Sequence, residues 1–112
     1  MVLQGEKLLI HLPIPAPPGW LDTARARFPG VEIIWEQARW EKTGLTSMDE
    51  LPRDVLEGVT LMCPGPPFPP APENMRSVRF VQLISAGYDP WAKHPVFHDK
   101  SVGFCSGSGI HA

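Results

Sequence analysis

Five short apolar runs punctuate the chain, at residues 7–12, 31–35, 59–62, 80–84 and 102–105. Each is continuously apolar more than alternating, the pattern of strands covered on both faces. Their apolar starts lie roughly 21 to 28 residues apart, too far for hairpins but enough for a crossover to a parallel neighbour, which needs a dozen or more residues. The rhythm therefore predicts an α/β fold with an open parallel sheet of about five short strands and flanking helices.

The connections differ in kind. Between the first two runs, Trp20, Leu21, Ala24 and Phe28 recur at helical spacing before Pro29-Gly30 stops the segment, which predicts a helix. The next connection is polar and irregular over 36–48. It carries helical signal only at 51–56, with Pro52 suited to a first helical position and Gly58 to a C-terminal cap. The third is proline-rich over 64–72, leaving 73–76 for a single turn, because proline lacks the amide donor a helix interior needs. After the fourth run, Asp89 and Pro90 are spaced to start a short helix.

Composition narrows the reading. The length of 112 residues suits one small domain and excludes separate cofactor and substrate lobes. Fourteen prolines are more than twice the usual share of about 5%, yet hydrophobic residues reach 43% and charged residues only 20%, too apolar a balance for a disordered tract. Ten of those prolines fall in two clusters, four within 13–18 and six within 64–72, so they punctuate loops. Ten Lys and Arg against twelve Asp and Glu give a net charge of −2 without a basic stripe, and nucleic acid is excluded as a partner. No apolar run approaches the roughly 20 residues of a membrane span, and the first 18 residues lack a signal-peptide core. A soluble protein of the cytoplasm is the expectation, in which Cys63 and Cys105 stay reduced.

Candidate chemistry is sparse. Ser85-Ala86-Gly87 follows a predicted parallel strand, at the sheet edge where open α/β folds bind ligands. Small side chains there expose successive backbone amides, a concavity for an anion such as a carboxylate; an ordinary glycine turn before a helix is the alternative. Gly107-Ser108-Gly109-Ile110-His111-Ala112 matches the dinucleotide fingerprint G-x-G-x-x-G/A, but neither the helix nor the later acidic residue that the mechanism requires follows it. A strand leading into a Gly-Ser loop there reads as a sequence cut where a helix should begin. His11, His94, His98 and His111 have no partner at a diagnostic spacing, and Cys63 and Cys105 belong to no metal-ligand pair. Trp20, Trp35, Trp40 and Trp91 read as core and interface bulk. No nucleophile signature such as G-x-S-x-G is present.

Residues 78–89, with Ser85-Ala86-Gly87-Tyr88-Asp89 after a strand, followed by Ser101-Val102-Gly103-Phe104-Cys105 and Ser108-Gly109-Ile110-His111, resemble the N-terminal part of D-isomer-specific 2-hydroxyacid dehydrogenases of the glyoxylate/hydroxypyruvate reductase type. In that family a strand leads into an S-x-G-x-D loop, and another into a Gly-containing turn that opens a long helix. The resemblance is specific over 78–112 and rests upstream on the βα rhythm alone. It implies a flavodoxin-like substrate domain over 1–112, partial and incomplete at the C-terminus, with the nucleotide-binding Rossmann domain absent.

By the same resemblance the amides of Ala86 and Gly87, with Ser85 nearby, would hold the carboxylate of a 2-oxo or D-2-hydroxy acid. Full-length members use NAD or NADP, but their catalytic arginine, its acidic partner, their catalytic histidine and their cofactor loop have no counterpart in this chain. No residue is therefore assigned a catalytic, cofactor-binding or metal role, and the chain alone is expected not to turn over NAD(P)H. The rival reading is a non-catalytic module that binds a small carboxylate, or that pairs as a homo-oligomer or with a full-length relative. Both proline clusters follow predicted strands, so they would share the sheet edge with Ser85-Ala86-Gly87, either walling a pocket or serving as rigid connectors.

Overall fold

A computed structural model describes residues 5–42, 44–65, 69–84, 91 and 93–105. The chain forms a five-stranded, all-parallel sheet of β1 (Glu6–His11), β2 (Val31–Trp35), β5 (Leu61–Pro64), β6 (Phe80–Gln82) and β7 (Gly103–Cys105), in the spatial order β2-β1-β5-β6-β7. Counting only these strands, the order is 2-1-3-4-5, that of flavodoxin-like sheets. The expected α/β architecture is present, with two α-helices among the described residues: α1 (Trp20–Arg27) and the single turn α2 (Arg53–Leu56).

Side-chain alternation divides the sheet into two unequal faces. On the first, Leu9 pairs across to Met62, Met62 to Val81 and Val81 to Phe104. Leu9, Met62 and Val81 are at most 1% exposed. Met48, Leu56, Val59, Met75 and Trp91 close over this row, and Phe104 meets Trp91 and Phe97 edge to face. The second face is covered where Leu21 and Ala24 of α1 pack on Ile10, Val31 and Ile33. Trp20 and Trp35 meet edge-on at 5.5 Å, and Arg25 donates to the Ile33 carbonyl at 3.0 Å. Over β6 and β7 the same face lies open, with Phe80, Gly103 and Cys105 exposed.

The helices follow local rules. Pro52 precedes α2 as its cap, and Gly58, just past its end, adopts φ +77°, a conformation that favours glycine. Lys7 Nζ donates to the carbonyls of Asp54 and Glu57 at 2.8 and 2.7 Å, placing a cation where the last helical carbonyls lack partners.

The third strand is shifted from the expected 59–62 to Leu61–Pro64. Before it, the Thr60 hydroxyl accepts the Lys7 amide at 2.9 Å while the Thr60 amide donates to the Lys7 carbonyl at 3.0 Å, so a side chain substitutes for the ladder at that point. The fourth strand is shorter than 80–84, although the Leu83 amide still donates to the Cys105 carbonyl at 2.8 Å. Within the irregular 36–48 connection lies an antiparallel pair, β3 (Trp40–Glu41) and β4 (Gly44–Leu45), too short to leave an alternating pattern in sequence. Of the tryptophans read as core and interface bulk, Trp91 is core, whereas Trp40 is 74% exposed and is not part of the core. The helix start expected at Asp89 and Pro90 lies outside the described residues.

Met62→Ala removes a fully enclosed side chain from the central row and is expected to cost about 2–5 kcal/mol. Ile14→Ala, at an exposed loop position, should change stability by no more than about 0.5 kcal/mol. Urea unfolding of the two variants beside the parent checks both values.

Candidate functional site

From β1 the chain crosses to β2 on one side, and from β5 it crosses to β6 on the other. The carboxyl ends of β1 and β5 are therefore the topological switch point, the crevice where open α/β sheets receive ligands. Both proline clusters leave from this crevice, the first after His11 and the second after Pro64, which stand opposite one another in the register. The strands approach so closely that a Cβ on Gly65 would lie 2.5 Å from the His11 carbonyl oxygen, and only glycine fits there.

The second proline loop is fastened at two points. Asp49 accepts the Ala71 amide at 2.9 Å and the Asn74 side-chain amide at 2.6 Å. His94 Nδ1 accepts the Val96 amide at 3.1 Å, so its hydrogen sits on Nε2, which donates to the Pro70 carbonyl at 2.7 Å. His94 is buried, and this paired role accounts for it without catalysis.

Ser85, Ala86 and Gly87, the expected carboxylate-binding residues, lie outside the described residues, as does the Gly107-Ala112 fingerprint. Their strand is placed, however: β6 neighbours β5, and Leu83 continues its pairing with β7. In sequence, residues 85–87 come after a strand whose carboxyl end lies at the same sheet edge as those of β1 and β5.

A cavity of about 250 Å³ opens at this edge beside β1 and β2, lined by His11, Glu36, Arg39, Ser47 and Glu50 among others. The strand period explains the position of His11. It stands two residues beyond Leu9 and so on the same face of β1, toward the 46–52 connection. Ser47 and Glu50 form a capping box around the turn Met48–Glu50: the Ser47 hydroxyl accepts the Asp49 amide at 3.1 Å, and the Ser47 amide donates to Glu50 Oε2 at 2.7 Å. This fixes the Glu50 carboxylate near His11.

The His11 side chain makes no hydrogen bond among the described residues, although the residue is only 4% exposed. Burial holds its pKa below the ordinary 6.5, partly offset by the negative charge of Glu50. By sequence alone His11 is a strand-end histidine with no partner at a diagnostic spacing. The available signal was its parity with Leu9, but Glu50, 39 residues away, is brought to it only by packing.

Because the folded state binds a proton at His11 less readily than the unfolded chain, its contribution to stability is fully present above pH 6.5 and declines as the pH falls through that value toward the lowered folded pKa. His11→Gln should flatten this part of the profile, read as a smaller loss of urea midpoint between neutral and mildly acid pH than the parent shows. Equal slopes in the two proteins would contradict the assignment. Comparison of the chain with family models, with curated proteins and with solved structures found no match.

Proposed function

We propose that the chain is the substrate-binding portion of an NAD(P)-dependent oxidoreductase acting on the CH–OH group of D-2-hydroxy acids, holding a small 2-oxo or 2-hydroxy carboxylate at Ser85, Ala86 and Gly87. The observation that carries the reading is the 2-1-3-4-5 order of a parallel sheet whose carboxyl edge holds the ends of β1 and β5, from which the proline clusters follow, and of β6, which the S-x-G-x-D sequence follows. Backbone amides in a small-residue loop suit a carboxylate, since they supply donors without a titrating group. Proline in the flanking loops limits the conformations available to the walls. The cytoplasm is the proposed compartment; among the described residues no helix is long and apolar enough to cross a membrane.

The first βα turn does not fit a dinucleotide. Pro13, Pro15, Pro17 and Pro18 occupy the segment between β1 and α1, removing the amide donors that a pyrophosphate would meet at a helix start. NAD or NADP is thus assigned to a separate nucleotide domain, and no hydride-transfer step is derived for these residues. Purified chain should show saturable amide shifts at Ala86 and Gly87 with oxalate as probe, at least about tenfold weaker for Gly87→Val, and no glyoxylate-dependent oxidation of NADH. Unmoved amides would overturn the carboxylate assignment, and NADH oxidation would overturn the division of labour between domains.

A non-catalytic pairing module is the second reading, favoured by the open face over β6 and β7. There Phe80 sits against Gly103, with Cys105 beside them. Under this reading the parent sediments as a dimer and Phe80→Lys as a monomer; a monomeric parent at high concentration excludes self-pairing.

A further inference from the structure

The cavity beside His11 has a chemistry of its own, separate from the carboxylate loop. Two carboxylates, Glu36 and Glu50, line it with one guanidinium, Arg39. With His11 neutral, the lining carries a net charge of −1, which disfavours an anion. Its volume equals that of about eight waters at about 30 Å³ each, enough for a small organic molecule. Among the described residues no three metal-ligand side chains converge, so the lining is not built for a metal ion.

His11 points to what would fill it. A polar side chain more than nine-tenths buried normally has a hydrogen-bond partner in the protein or in bound water; among the described residues this ring has none, its nitrogens are not sealed from solvent, and its residue lines the cavity, so its partner is whatever fills that cavity. A neutral imidazole offers one lone pair to a donor. The Glu50 carboxylate nearby is oriented by the Ser47 amide through one oxygen, and it adds negative charge on the same side.

We infer that this cavity is a binding site for a small primary ammonium compound, whose N–H groups donate to the His11 ring and to the carboxylates of Glu50 and Glu36. The site lies at the β1–β2 side of the carboxyl edge and does not depend on the function proposed for residues 85–87. Protonation of His11 would replace the acceptor with a donor and place a positive charge against the ligand. Glu36, Arg39 and Glu50 are the other charged groups facing the cavity. Binding of a cation therefore weakens as the pH falls, the opposite of the trend for an anion.

The test uses the 112-residue chain with ethanolammonium chloride as probe and sodium acetate as control, following the His11 ring protons by NMR. Saturable shifts with ethanolammonium and not with acetate are expected, as is weaker affinity on acidification through the His11 transition. Glu36→Gln and Glu50→Gln should each weaken binding about tenfold, a loss of about 1.4 kcal/mol. Gln at position 50 keeps an oxygen acceptor for the Ser47 amide, and unchanged urea midpoints in both variants verify that the fold is retained. Absence of saturable shifts, equal response to acetate, or full affinity in both variants would overturn the inference.

Discussion

The row Leu9, Met62, Val81 and Phe104 is the constraint on which the rest of the molecule depends. Four parallel strands meet in a register that places these side chains side by side on one face, the first three fully out of water. A slip of one residue in any strand would turn its apolar member to the opposite face, and the strand period of two makes that penalty apply along the whole strand. Once this row is set, the carboxyl ends of β1 and β5 fall opposite each other. The loops that leave them then have one edge to occupy.

That edge combines stiffness with polarity. Proline restricts both loops locally, but the second is held by distant partners: Asp49 on the backbone at Ala71, His94 on the Pro70 carbonyl, and the close contact of Gly65 with His11. The cavity beside His11 has the same origin. It exists because the capping box at Ser47 and Glu50 holds the connection off the end of β1 while the Leu9 row holds that strand below it.

The two faces of the sheet differ in finish. The face that carries the Leu9 row is closed by short 3-10 turns and by aromatic contacts among Trp91, Phe97 and Phe104. The other is covered by α1 only over β1 and β2. The asymmetry follows from the connections: one supplies a two-turn helix, while the proline-rich one contributes only the 3-10 turn Pro72–Asn74 to the described structure.

Much of the architecture was legible in the order of residues. Parallel strands, the helix at 20–27, the brief helical turn after Pro52 and the shared edge of the proline clusters all follow from local chemistry: continuous apolar runs, helical spacing, and proline's missing amide. Spacing could not fix the start of β5, because Thr60 enters the ladder through its hydroxyl, nor reveal β3 and β4, which are two residues each. The relation between His11 and Glu50, and the use of His94 as a clamp on Pro70, are decided by tertiary structure alone. Each joins residues more than 20 positions apart, and local propensity carries no information about which distant groups packing will bring within reach.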